Sequence, residues 1–157
     1  MKDLLNGLWM FLIVFSLAGC SHTSQTKENT TGKSAKGDVI VLNKVDFLAK
    51  VFNYEKNPDQ WVYEGDKPCI VDFYADWCGP CKKVSPILRD LAILYKNDII
   101  VYKVDVDTES ELAEAFGIQS IPTLLFFPKE GEPHITLGAL SRDEIVEQID
   151  HYLLGKN

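Results

Sequence analysis

The tetrad Cys78-Gly79-Pro80-Cys81, set between the apolar run Cys69 to Ala75 and a helix-like stretch, constrains this chain more than anything else in it. Two cysteines three positions apart in the first turn of a helix lie close enough to close a disulfide. The first faces unpaired backbone N–H groups and the positive end of the helix, which stabilise a thiolate. The pattern therefore makes Cys78 the attacking thiol of a disulfide exchange and Cys81, one turn further in, the resolving thiol. Gly79 leaves room for the backbone of a partner. Pro80 suits a first helical turn because the N–H it lacks would have been unpaired there.

Two other uses of a Cys-x-x-Cys pair fit less well. Half of a zinc site needs a second ligand pair at metal spacing, whereas Cys20 and Cys69 are isolated and His22, His134 and His151 are scattered singly, so no metal is expected. A structural staple is a poor use of a crosslink across two residues, because stabilisation grows with the length of the loop that is closed.

The run Val71-Asp72-Phe73-Tyr74-Ala75-Asp76, leading into Trp77-Cys78-Gly79-Pro80-Cys81-Lys82, resembles the active-site strand and helix of the thioredoxin family. Lys103 in the next apolar run, Ile121-Pro122-Thr123 and Gly138-Ala139-Leu140-Ser141 follow in the family's order, so the likeness covers Val39 to Tyr152. Within the family it is most similar to extracytoplasmic thioredoxins of Bacteroides-type bacteria, which share the Gly-Ala-Leu-Ser turn and the run from Phe116 to Thr123. The resemblance implies an α/β thioredoxin fold, a central mixed β-sheet with helices on both faces. It also implies a cis peptide bond before Pro122, whereas only about one X-Pro bond in twenty is cis in folded proteins. That loop would bring the backbone of Ile121 beside Cys78, and Trp77, Gly79, Pro80, Ile121, Pro122, Gly138 and Ala139 would form a mostly apolar docking surface for an extended substrate segment.

Asp72 interrupts a run that is apolar on both sides, where a carboxylate is costly unless it is used or paired. By resemblance it lies beneath the cysteine pair, with its pKa raised by desolvation, and moves a proton to or from Cys81 through water. The family match adds Lys103 as its partner. The competing reading is a buried ion pair kept for structure. Cys69, after Pro68 at the entry to the same strand, reads as a small buried hydrophobe without chemistry.

The N-terminal region has a different character. Leu8 to Leu17 carries no charge, is too short to span a bilayer and reads as the core of a signal peptide, with Lys2 offset by Asp3 ahead of it. Leu17-Ala18-Gly19-Cys20 resembles a bacterial lipobox, which would make Cys20 the acylated first residue of the mature protein. A plain secretory signal or an uncleaved anchor are the alternatives, and all three export the domain. Ser21 to Gly37, rich in Ser, Thr, Lys and Gly, reads as a flexible tether. The organisation expected is thus 1–19 signal peptide, 20–37 lipidated cysteine and tether, and 38–157 a single thioredoxin domain.

Periodicity gives alternating elements: a strand over Val39 to Leu42, a helix with Val45, Leu48, Ala49 and Phe52 on one face, a turn-rich connection from Asn53 to Pro68, and a strand over Cys69 to Ala75. A helix over Pro80 to Tyr95 with Pro86 inside it and a strand over Ile99 to Val106 come next. Thr108 with Glu111 and Ser141 with Glu144 read as capping boxes of helices to Phe116 and to Leu154, and between them Thr123 to Phe127 and His134 to Leu137 form a hairpin around Gly131. Trp61, Tyr63 and Tyr54 in the long connection read as packing residues.

The function expected is reduction of protein disulfides by an extracytoplasmic, lipid-anchored domain facing the periplasm, with Ser21 after Cys20 resembling an outer-membrane sorting signal. No organic cofactor is implied. The electrons would come from a separate protein, a membrane thiol transporter, because the chain has neither a nucleotide fingerprint nor room for a flavin domain. A formal charge of −7 without a dense basic patch argues against nucleic acid as a partner. An oxidase or isomerase, favoured by an oxidising compartment, is one alternative, although Gly79-Pro80 resembles the reducing members. A non-catalytic binding module using the same groove is another.

Overall fold

A strand buried along nearly its whole length, as Cys69–Tyr74 is, needs a partner on each edge and cover on each face. The computed structural model describes residues 38–156; the apolar run from Leu8 to Leu17, Cys20 and the polar stretch after it lie outside them. In chain order the elements are β1 (Val39–Val41), α1 (Lys44–Lys50), β2 (Cys69–Tyr74), α2 (Gly79–Leu94), β3 (Ile100–Asp105), α3 (Ser110–Ala115), β4 (Thr123–Phe127), β5 (His134–Leu137) and α4 (Arg142–Gln148). The strands form one sheet in the order β1-β3-β2-β4-β5. The first three are parallel, while β4 runs antiparallel to β2 and β5 antiparallel to β4. β2 is thus the central strand, as its apolar composition demands.

Alternation along β2 divides the core in two. Cys69, Val71 and Phe73 point to the face covered by α1 and α3, where Phe47, Val51, Leu112 and Phe127 complete a largely aromatic cluster. Ile70 points to the other face, where Val84, Leu88 and Leu91 of α2 meet Ile145 of α4 and Leu124 and Phe126 of β4. Burying each of these large side chains contributes about 1.5–3 kcal/mol, so the two clusters supply most of what holds helices to sheet.

Several local readings are corrected. The buried side of α1 is built on Phe47 and Val51, while Val45 is 76% exposed and Ala49 also faces solvent. Phe52 lies beyond the helix, in an isolated bridge with Tyr63. Thr108 and Glu111 form no capping box. The N-cap of α3 is Glu109, which makes no side-chain cap; its carboxylate instead accepts from the backbone N–H of Lys44 at 2.8 Å, while the Thr108 hydroxyl donates to the carbonyl of Asp105. Glu111, the other expected partner, accepts from the Lys44 ammonium. The second capping box is present: the Ser141 hydroxyl accepts from the N–H of Glu144, and the Glu144 carboxylate from that of Ser141. The last helix does not stay α-helical to Leu154 but widens into a π-helical stretch, Ile149–Leu153, in which Ile149 and Leu153 are both buried.

The connection before β2 is ordered by its own contacts. Glu64 donates to the carbonyl of Val51 at 2.9 Å, and the Tyr63 hydroxyl donates to the carbonyl of Lys67. A side chain on Gly65 would stand 2.5 Å from the Tyr63 hydroxyl oxygen, so the ring can lie there only against glycine. Trp61 packs on Phe52 with ring centroids 4.4 Å apart, in keeping with its reading as a packing residue, yet it remains 38% exposed.

Candidate active site

β2 ends at Tyr74, and four residues later Cys78 is the N-cap of α2. Its backbone N–H donates to the carbonyl of Ala75 at 3.1 Å, and its sulfur accepts from the N–H of Cys81, also at 3.1 Å. A sulfur in that position takes over one of the donors a helix start leaves unpaired, which is the environment that favours a thiolate. Cys81 Sγ is bonded to Cys78 Sγ at 2.07 Å, with the Cα atoms 5.3 Å apart. Gly79 and Pro80 between them are exposed, and a side chain on Gly79 would meet nothing of this chain.

Exposure does not separate the two cysteines: Cys78 is 3% accessible and Cys81 1%. Their surroundings do. Cys81 is inside the helix, with its carbonyl accepting from the Ser85 hydroxyl, whereas Cys78 Sγ lies 3.7 Å from the carbonyl oxygen of Ile121. The bond from Ile121 to Pro122 is cis. Beside it is a shallow groove of about 180 Å³ lined by Trp77, Val106 and Ile118 to Ile121. Trp77 is 69% exposed and is held by its indole N–H, which donates to Asp107 at 2.8 Å. Gly138, whose φ of 84° only glycine adopts without strain, donates its N–H to the carbonyl of Pro122 at 2.8 Å, bringing the turn before Ala139 against the same loop. Trp77 before α2, Gly79 and Pro80 in its first turn, Ile121 and Pro122 before β4, and Gly138 and Ala139 after β5 thus lie at one end of the sheet.

Asp72 is 2% exposed, and one carboxylate oxygen, Oδ1, is buried without a hydrogen-bond partner among the described residues. Burial pushes its pKa up to about 7, with the Lys103 charge pulling the other way. The two residues are register partners on adjacent strands, yet no hydrogen bond or ion pair joins them. The ammonium of Lys103 lies instead 4.7 Å from the centre of the Tyr74 ring. A structural ion pair is therefore not what keeps Asp72 in the core. Both residues line one cleft, together with Ser85 and Arg89. Cys69 at the other end of β2 is fully buried, and its thiol is pushed up to about 12. Sequence reasoning missed Asp107, whose role as a tether for Trp77 has no sequence signal, and the cleft beneath Asp72.

The arrangement is that of a dithiol that cycles with its disulfide beside a surface open to a partner's backbone. The thioredoxin family profile matches residues 49–151. The thioredoxin of Borreliella burgdorferi is 50% identical over 104 residues, 66% of this chain and 88% of that protein. The chloroplastic M-type thioredoxin of Spinacia oleracea is 38% identical over 94 residues, 60% of this chain but only 52% of the relative's length. Among solved structures, a mutant thioredoxin from Halobacterium salinarum superposes with a TM-score of 0.59 at 28% identity, covering 77% of this chain and 96% of that one. With the sheet order, the cysteine pair at the N-terminus of α2 and the profile in agreement, this chain belongs to the thioredoxin family of thiol–disulfide oxidoreductases.

Proposed function

We propose that this oxidoreductase works as a reductase of protein disulfides in the cell envelope. The observation that carries the reading is the environment of Cys78: its sulfur accepts from a helix N-terminus and lies beside a backbone carbonyl, Ile121, flanked by an apolar groove. In the reduced enzyme the Cys78 thiolate attacks one sulfur of a substrate disulfide, forming a mixed disulfide and expelling the other substrate sulfur as thiolate. Cys81, deprotonated, then attacks Cys78 Sγ; the Cys78–Cys81 disulfide closes, and the second substrate sulfur leaves. Asp72, with a pKa of about 7, takes up and returns the proton of Cys81 near neutral pH, and Lys103 tempers that value. Trp77, Gly79, Pro80, Ile121, Pro122, Gly138 and Ala139 hold the substrate segment. A membrane thiol transporter supplies two electrons and two protons to restore the dithiol.

The location rests on the sequence: an uncharged run from Leu8 to Leu17 followed by Leu17-Ala18-Gly19-Cys20 supports export with lipidation at Cys20. Two or more acyl chains there would hold residues 38–157 stably on a membrane facing the periplasm, through the tether 20–37. Mass spectrometry of the membrane fraction is expected to find acylated Cys20 as the first residue, and Cys20→Ala to release the protein from membranes. An unmodified N-terminus at any other residue rejects the anchor. Equilibration of the full chain with glutathione buffers separates reductase from oxidase: a potential near the value of about −270 mV typical of thioredoxins is expected, whereas one near about −120 mV would identify a disulfide-inserting enzyme.

A further inference from the structure

The long connection ahead of β2 builds a second cleft, of about 420 Å³, between itself, the end of α3 and strand β5. Its walls are the rings of Phe52, Tyr54, Trp61 and Phe116, and two exposed carboxylates, Asp59 and Glu132, border it, with no basic side chain among the described lining residues; the Lys44 ammonium near the Tyr54 hydroxyl is itself ion-paired with Glu55 and Glu111. Aromatic faces attract cations through their quadrupole, and carboxylates at the rim reinforce that preference. Two stretches of chain lead from the cleft towards the substrate groove. Along β5, Ile135 borders the cleft and Leu137 follows on the same face, 47% and 69% exposed, and the next residue, Gly138, bonds to Pro122. Along the chain after α3, Phe116 borders the cleft and Ile118 the groove beside Trp77. The path over β5 is short, since three residues of extended chain cover roughly 10 Å.

We propose that this cleft is a docking subsite that takes a lysine or arginine side chain of the polypeptide whose disulfide is being reduced. The proposal rests on the reductase reading given above. Three observations make it specific: the aromatic walls, the carboxylates unopposed by a basic residue among the described lining residues, and the exposed apolar pair Leu137 and Ile135 that lies between the turn at Gly138 and the cleft. A side chain some four to six residues from the substrate cysteine reaches it. A small disulfide that occupies only the groove by Trp77 does not.

The test compares kcat/KM of the full chain for three probes: a peptide disulfide with arginine five residues to either side of its cysteine, the same peptide with norleucine there, and 5,5′-dithiobis(2-nitrobenzoate). A preference of about fivefold for the arginine peptide is expected, the size of a modest cation–π and charge contribution. The double variant Asp59→Asn with Glu132→Gln, which removes two surface charges without altering shape, should reduce the preference to about twofold, and Trp61→Ala should abolish it. Equal rates for the two peptides, or a preference for norleucine, with the small disulfide still reduced, overturn the subsite and leave the reductase standing. Failure to reduce any of the three overturns the reductase and the subsite with it. A dimer at assay concentration that Trp61→Ala dissociates would assign the cleft to a second copy of this chain and overturn the proposal.

Discussion

Strand β2 carries a cysteine at its first residue and delivers two more just past its last, and the two ends have opposite chemistry. Cys69 is enclosed by apolar side chains, lies at the start of no helix, and has its thiol pushed up to about 12 by burial. Cys78 and Cys81 are as little exposed as Cys69, yet they sit where a helix begins and a second loop, at Ile121, closes in. Exposure therefore does not decide which cysteine reacts. What differs is the helix N-terminus aimed at the sulfur and the neighbouring surface that a substrate can occupy; at Cys69 burial outweighs the Tyr63 hydroxyl beside the thiol.

The largest expected effect tests the reactive end. Cys78→Ser should abolish insulin reduction, a loss of more than about a thousandfold, because a hydroxyl there is a far weaker nucleophile. Cys81→Ser should instead accumulate mixed disulfides through Cys78, detectable on non-reducing gels. Trapping by Cys78→Ser and none by Cys81→Ser would reverse the two roles.

Between the ends stands Asp72. Its folded pKa, raised to about 7 by burial, exceeds the ordinary carboxyl value of about 3.9, so the folded state binds this proton more tightly than the unfolded one. Its contribution to stability is neutral below about pH 4, grows unfavourable from there to about pH 7 and levels off above, a loss of up to about 4 kcal/mol. Asp72→Asn should accordingly slow turnover near neutral pH about tenfold or more and raise the denaturant midpoint at pH 8 while leaving it nearly unchanged at pH 4. Unchanged turnover with a lower midpoint would make Asp72 structural.

The smallest effect belongs to the quiet end. Cys69→Ser places a hydroxyl in an apolar cluster and should cost about 1–3 kcal/mol in urea unfolding with insulin turnover intact. A comparable loss of turnover would mean that both ends of β2 take part in the chemistry.

The fold and most of the site were legible because their signals are local or ordered along the chain. The apolar run, the Cys-x-x-Cys turn and the hairpin around Gly131 each declare themselves within a few residues, and the positions of Lys103, Pro122 and Gly138 came with the family resemblance. What escaped depends on partners distant in sequence. Glu109 is turned to α1 by the N–H of Lys44, and Phe47 rather than Val45 faces the core because of where Phe116 and Phe127 stand, with ring centroids 5.1 and 6.2 Å from its own. Lys103 resembled an ion-pair partner of Asp72, but the Tyr74 ring competes for its ammonium. The cleft around Trp61 is assembled from three separate stretches, and no spacing within any one of them announces it.

The placement of β2 and β4 has one further consequence. Both are interior strands, each bonded along two edges, and they carry the two loops that meet at Cys78, whereas among the described residues β1 and β5 are bonded along one edge only. Amides of an interior strand exchange with solvent only when most of the domain opens, while edge strands fray at far lower cost. The redox centre is thus moored to the slowest-breathing part of the molecule, and heat inactivation should coincide with global melting, with no earlier loosening of the site.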